Sequence, residues 1–227
     1  TYIGMYLSAH PLDPYAFIIE NLCNCPASEL DKFAELGLTQ LTCAGLVTKV
    51  RQGISKRNEP YAIIQIEDTS GTGEIPLFGQ HYVNFGNFAQ EGLAILVKMS
   101  VAPSKYDPKR LYRTVQSIQL LSDITEEAFR SIQLTIDLSQ GEDATPAGSY
   151  EDGGEEEILD RPNTLEGAIE LGNAIKEHPG KTELEITFCS SMVPYATTMY
   201  APSIEPGKWL LEIVKKYQIQ CTVQTAK

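Results

Sequence analysis

Nine side chains in the middle of the chain are suited to holding a polyanion and its bases: Lys49, Arg51, Lys56, Arg57, Lys98, Lys105, Lys109 and Arg110 as cations, and Tyr61 as a flat ring. Cations neutralise phosphates and release counterions, while an aromatic face stacks on a base whatever its identity. Together they suit a protein that follows a single strand without reading its sequence. Other reactive groups lack partners at usable spacing. His10 precedes a proline with no Cys, His or Ser in register, and so reads as a structural residue at a helix break. Cys23-Asn-Cys25 would be half a metal site, but the histidines, His10, His81 and His178, have no ligand spacing. Gly71-Thr-Gly73 lies between two strands and opens no helix, so it reads as a hairpin turn rather than a phosphate loop. No catalytic residue, metal or cofactor is assigned.

The elements that must position these side chains run from Leu41 to Leu121. Two β-rich runs, Leu41 to Arg51 and Pro60 to Asp68, flank a polar turn with Lys56 and Arg57. A short strand (Glu74 to Phe78), a helix-compatible stretch (Gln80 to Gln90) and two more strands (Leu93 to Ala102, Leu111 to Leu121) follow. This β-β-β-α-β-β order is that of an OB-fold, a five-stranded Greek-key barrel whose second and third strands and two loops bind single strands. Period two places Leu93, Ile95, Val97, Met99 and Val101 inside and Lys98 outside. Ala62, Ile64 and Ile66 point inward, which turns Tyr61, Ile63 and Gln65 to the open face. Lys49 and Arg51 share one side of the first strand. In the fifth strand Leu111, Arg113, Val115 and Leu121 share one parity while Ile118 and Leu120 have the other, which predicts a bulge.

Charge is distributed to match. The chain of 227 residues has net charge −12, yet residues 41 to 122 carry nine basic and six acidic side chains, against one and five in residues 1 to 40 and eight and nineteen in residues 123 to 227. The barrel is the one locally basic region. Five cysteines without framework spacing fit a reduced, cytoplasmic protein. No signal peptide and no apolar run near the ~18 residues of a membrane span are present, so no membrane partner is expected. The chain reads as a piece cut from something longer.

Residues 1 to 40 read as a helical lead-in, with Tyr2 to Leu7 helical, Pro14 opening a helix before Tyr15 to Leu22, and Ser28-Glu-Leu-Asp31 capping a second. They are too few for a core of their own and should pack on the barrel or on sequence upstream. After the barrel, residues 123 to 227 form a small α+β domain. Ile132 to Leu138 is a strand, and an acidic, solvated and mobile loop at about 139 to 161 has eight acids between Glu142 and Asp160. A helix from Thr164 to about Glu177 with apolar Leu165, Ile169 and Leu171 ends at Pro179-Gly180. Strands at Glu183 to Cys189 and Tyr195 to Tyr200, a helix from Pro206 to Tyr217 and a strand from Ile219 to Val223 complete β-α-β-β-α-β, read as a split βαβ sandwich. Trp209 reads as core, with a partner anchor as the sharper alternative. The fold class is therefore mixed β and α+β: an OB-fold barrel followed by a small β-α-β-β-α-β domain.

Gly4-Met-Tyr-Leu-Ser-Ala-His-Pro-Leu-Asp13 resembles the stretch that precedes the OB domain in the bacterial DNA polymerase III alpha-subunit family. The resemblance continues through Ala44-Gly-Leu-Val47, Val50-Arg51, Lys56-Arg57, Ile66-Glu-Asp68 and Gly71, and more faintly through His178-Pro-Gly180. Departures are Met5 and Ala9 for the family's Phe and Gly, Gly73 where an apolar residue is usual, and Pro76 inside the third strand. Proline cannot donate to a ladder, so that strand must be an edge or bulged there. The resemblance implies a non-catalytic C-terminal region of a replicative, template-directed DNA polymerase, a nucleotidyltransferase. Its OB domain would bind single-stranded template DNA, and its last domain would dock the clamp-loader tau subunit beside other replisome subunits. Two alternatives stay open, the anticodon-binding OB domain of a class II aminoacyl-tRNA synthetase and an OB-fold scaffold that binds protein.

Overall fold

The computed structural model describes residues 10–56, 58–103, 111–141, 164–190 and 193–226. The expectations for Tyr2 to Leu7, Arg57, Lys105, Lys109, Arg110 and the acidic stretch after Glu142 lie outside these residues. The chain divides into two compact units, Thr1–Thr125 and Glu126–Lys227.

In the first unit, β1 (Gln40–Ile54), β2 (Pro60–Asp68), β3 (Gly71–Phe78), β4 (Ala94–Pro103) and β5 (Leu111–Leu120) form one antiparallel sheet in the order β3-β2-β1-β4-β5. The long β1 pairs with β2 through its second half and with β4 through its first, so one strand bends across both layers of the barrel. Helix α2 (Gln80–Phe85) and a 3-10 turn (Gly86–Phe88) sit between β3 and β4. This is the OB-fold order. Alternation decides the core: Ala62, Ile64 and Ile66 of β2, Ile75 and Leu77 of β3, and Ile95, Val97 and Met99 of β4 are buried together, with Tyr82, Phe85 and Phe88 packed against them. Fully burying such a side chain contributes roughly 1.5–3 kcal/mol.

Two single-residue bulges set which side chains face where. Val47 pairs with Ile66 but Lys49 with Gln65, so Thr48 is an extra residue in β1. Lys98 pairs with Ser117 but Met99 with Val115, so Gln116 is extra in β5. The bulge expected in the fifth strand is there, and it lets Val115 and Ile118 both point into the core. Pro76 lies on β3, an edge strand paired only with β2, so the ladder tolerates it without a bulge.

The lead-in packs on the barrel by two routes. A 3-10 turn (Asp13–Tyr15) with Pro14 in its first positions leads into α1 (Ala16–Leu22). Leu12, Ile18, Ile19 and Leu22 cover Ala44 and Leu96 on the outward side of β1 and β4. Leu96 alternates with the core residues of β4, yet it is fully buried by this second layer. Next, the 3-10 segment Ala27–Lys32 lies over β3 and contributes Ala27 and Leu30 to the main core. Ser28 is not its cap. The segment begins after Pro26, and the Asp68 carboxylate at the end of β2 accepts the Ala27 N–H at 2.8 Å and the Ser70 N–H at 2.7 Å. Glycines 71 and 73 belong to β3 itself, so the hairpin turn is made by Thr69 and Ser70. His10 holds a local turn, its Nδ1 accepting the Leu12 N–H at 3.2 Å. Cys25 and Cys43 are buried in the barrel core, and burial raises the thiols of Cys23, to about 12, and of Cys25 and Cys43, which opposes the thiolate a metal needs.

The second unit is a four-stranded sheet in the order β8-β7-β6-β9, from β6 (Phe129–Asp137), β7 (Pro179–Ser190), β8 (Val193–Ile204) and β9 (Gln220–Thr225). The split arrangement is not found: β6 and β7 lie side by side and parallel, joined through α3 (Thr164–Glu177), with no strand between them. Ile132, Leu134 and Ile136 pair with Leu184, Ile186 and Phe188 and form the apolar face. Leu171 and Ile175 of α3 and Leu210 and Ile213 of α4 (Lys208–Lys216) are buried with it. Leu165 and Ile169, expected among the apolar positions of α3, are exposed. Trp209 is half-buried, its ring stacked on His178 at 4.8 Å between centroids.

The two helices approach closely because position 167 has no side chain: a Cβ there would stand 2.6 Å from Cγ of Tyr217. Beside it the Glu170 carboxylate accepts hydrogen bonds from Lys216 Nζ (2.7 Å) and the Tyr217 hydroxyl (2.6 Å). These bonds, Lys216 first, hold the Glu170 carboxyl below its ordinary value, and the Glu170 bond raises both Lys216 and Tyr217. A depressed carboxyl stabilises the fold above its unfolded pKa and loses that contribution as pH falls through the folded value. Thermal melts of the second unit should therefore fall with acidification below about pH 4.5, the unperturbed carboxyl value, and Glu170→Gln should flatten that dependence.

Candidate nucleic-acid interface

Cross-strand partners lie on the same side of a sheet, so the register places Lys49 beside Gln65, Arg51 beside Ile63, and Gly53 beside Tyr61. On the far side of β2, Tyr61 faces Phe78, Ile63 faces Pro76 and Gln65 faces Glu74. The outward surface of β1, β2 and β3 thus brings Lys49, Arg51 and Tyr61 together. It also brings in Phe78, which the sequence reading left unassigned. The signal was available, since Glu74, Pro76 and Phe78 alternate with the inward Ile75 and Leu77.

The aromatic pair is built from below. Tyr61 and Phe78 have ring centroids 5.7 Å apart with an interplanar angle of 35°. A Cβ on Gly53 would lie 3.0–3.1 Å from the Tyr61 ring and hydroxyl, so the ring rests over β1 where there is no side chain. Phe78 is 52% exposed, an unusual state for a phenylalanine, and offers an apolar face to a flat ligand.

Arg51 is not idle on this surface. Its guanidinium is paired with Glu74 across the sheet, both half in solvent. An exposed pair of this kind contributes only ~0–1 kcal/mol, so a phosphate can compete for the arginine. Glu74→Gln should therefore raise affinity for single-stranded DNA by roughly twofold to fivefold at low salt. An unchanged titration curve for that variant would show that Arg51 takes no part.

Other cations are placed elsewhere. Lys56 is exposed in the β1–β2 turn, whose shape is fixed by Ser55: its N–H donates to the Glu59 carbonyl at 2.8 Å and its carbonyl accepts the Asn58 N–H at 2.9 Å. Lys98 faces outward on β4, opposite Thr42 and Ser117. Six residues of β1 lie between Thr42 and Lys49, which puts them roughly 20 Å apart along the strand, so Lys98 does not join the aromatic surface. Arg113 turns inward: its guanidinium donates to the Leu30 and Glu74 carbonyls, pairs with Asp31 at 2.9 Å and lies 5.1 Å from the Phe33 ring centre. It ties β5 to β3 and to the 3-10 segment above them. Among the described residues no three His, Cys, Asp or Glu side chains gather as a metal site, and no helix is long and apolar enough to cross a membrane.

No family model matches the chain. Curated relatives do. The DNA polymerase III subunit alpha of Saccharopolyspora erythraea is 32% identical over 97 residues, 42% of this chain and 8% of that protein. The proteins of the same name from Neisseria meningitidis serogroup B and Haemophilus influenzae are 29% and 26% identical over 137 and 135 residues, 60% and 59% of this chain. The chain is similar to a segment of the bacterial DNA polymerase III alpha subunit. It spans 8–12% of the length of these relatives. Among solved structures, the mitochondrial single-stranded DNA-binding protein Rim1 of S. cerevisiae aligns over 37% of this chain and 93% of its own, with 18% identity and a TM-score of 0.28. The barrel of the first unit owes its assignment to its own strand order and register.

Proposed function

We propose that the first unit binds single-stranded template DNA as a non-catalytic part of a replicative DNA polymerase, and that the second unit docks the clamp-loader tau subunit. One observation carries the DNA reading: Tyr61 and Phe78 form a ring pair on the open face of β1, β2 and β3, with Lys49 and Arg51 on the same face. Bases stack on the rings and phosphates run along the cations, with Lys56, Arg57 and the turn carrying Lys105, Lys109 and Arg110 extending the path, while Lys98 stands apart from it. Few side chains there are placed to read base edges, so sequence preference is weak. The docking reading rests on the resemblance to the alpha subunit and on charge, since residues 123 to 227 hold nineteen acids against eight bases and repel a nucleic-acid backbone.

Fluorescence titrations with single-stranded DNA, single-stranded RNA and duplex test the first reading. Single-stranded DNA should bind best, with affinity falling steeply between about 50 and 200 mM salt. A flat salt dependence overturns the phosphate-led mode. Preference for RNA would point to the tRNA-synthetase reading, and no nucleic-acid binding to a protein scaffold. Deleting residues 126–227 should abolish tau binding and leave DNA binding by the first unit intact. The opposite pattern would reverse the assignment of the two units.

A further inference from the structure

Strand β8 is the outer strand of its sheet, paired only with β7. Its residues Tyr195 to Tyr200 are exposed one after another, with Tyr195 at 69% and Tyr200 at 83%. Edge strands are ordinarily blunted by lysine, by proline or by a covering element. From Val193 to Ile204 there is no charged side chain, and the prolines, 194 and 202, bracket an uninterrupted stretch of seven residues in which alternate amides point away from β7 to the free edge. The stretch is rich in Tyr and Thr, residues that favour strands.

Its two faces differ. On the helix side Met199 pairs with Ile186 and Thr197 with Phe188, so the apolar face of the sheet continues out to this edge, where Met199 is itself exposed. On the open side Tyr200 pairs with Glu185 and Thr198 with Thr187, and Glu183 lies further along β7. A long basic side chain on an added strand would cross the Tyr200 ring and end near Glu185, gaining a cation–π contact and a charge partner. A second copy of the chain would bring no such cation and would set acidic units against each other.

We propose that the outer edge of β8 between Tyr195 and Ala201 receives an extended segment of a protein partner, apolar residues alternating with lysine or arginine, which joins the sheet as a fifth strand. This rests on the reading of the second unit as the docking unit. Apolar side chains of the segment pack beside Met199 and Tyr195, and its basic ones lie over Tyr200.

The test uses the whole 227-residue chain and a capped peptide of about nine residues alternating valine and arginine, long enough to span the edge. Its counterpart alternates valine and glutamate. The arginine peptide should bind about tenfold more tightly, slow hydrogen exchange at the edge-facing amides between residues 195 and 201, and lose both effects in the double variant Met199→Lys with Tyr200→Ala. Equal binding of the two peptides, protection elsewhere, or self-association through β8 seen by sedimentation and lost in the variant would each overturn the proposal. Purified tau separates the two levels. If tau binds the double variant normally but not the chain lacking 126–227, the β8 edge is wrong and the docking unit stands. If tau still binds after that deletion, the docking assignment itself falls.

Discussion

Replacing Gly73 by valine should lower the stability of the first unit by about 3 kcal/mol or more, read as an earlier urea midpoint for the barrel. Gly73 lies in β3 opposite Ile66, under the 3-10 segment Ala27–Lys32. A Cβ there would stand 2.8 Å from Leu30 Cδ1 and 2.9 Å from Leu30 Cβ, and against the Ala27 carbonyl. Leu30 and Ala27 are fully buried and cannot step aside. The segment would have to lift as a whole. That would forfeit the hydrogen bond from Ala27 to Asp68 and those from Arg113 to the Leu30 carbonyl and Asp31, each contributing on the order of 1 kcal/mol, more for the charged ones. Thr72→Val, one residue earlier on the exposed side of β3, is the control and should change stability by less than ~0.5 kcal/mol. Equal midpoints for the two variants would mean that the segment does not bear on β3.

Removing both rings, Tyr61→Ala with Phe78→Ala, should weaken binding of single-stranded DNA by roughly 10- to 100-fold at any one salt concentration. Stacking on an aromatic ring contributes about 1–3 kcal/mol per base, and a tenfold change in affinity corresponds to about 1.4 kcal/mol. The slope of affinity against salt should stay as it is, because no cation has been removed. Lys49→Ala with Arg51→Ala should do the reverse and reduce the slope by about two phosphate contacts. The pair of experiments separates bases from backbone. An unchanged affinity in the folded double-ring variant would take the strand off the open face of β1, β2 and β3.

Short-range alternation carried most of what was legible. It placed Tyr61, Ile63 and Gln65 outward, Lys98 outward, and an irregularity somewhere in the fifth strand, which the register locates at Gln116, because the pleat depends only on neighbours along one strand. It did not bring Lys98 near Lys49 or far from it, since that distance depends on how long β1 bends and where it changes partner. The cap of the 3-10 segment was misread for a similar reason. Ser28 was the nearest capping residue in sequence, but the group that satisfies the Ala27 N–H is Asp68, forty-one residues on. Leu96 shows the limit of a two-face reading: it is buried on the outward side because α1 makes a second layer there. In the second unit the order of elements was legible and their neighbours were not. The same string of strands and helices admits β8 or no strand between β6 and β7, and only long-range pairing decides.

The extra residue at Thr48 divides β1 into two halves with opposite parity. Before it, Thr42, Ala44 and Leu46 are the outward residues, and the last two pack under α1; after it, Lys49, Arg51 and Gly53 are. One strand therefore answers to two separate constraints, an apolar one where it is roofed and a cationic one where it is open. Substitutions can accumulate in either half without disturbing the other, and the one residue between them is the residue that no partner on β2 counts. Loss of the single residue Thr48 would close the bulge and leave Val47 opposite Ile66 and Lys49 opposite Gln65, so Lys49 and Arg51 stay outward and Gly53 stays beneath Tyr61, and only the local bend of β1 is lost. The binding face can thus drift in chemistry while its frame is counted residue by residue: deletion of the paired Val50, unlike that of Thr48, would turn Arg51 and Gly53 to the other face.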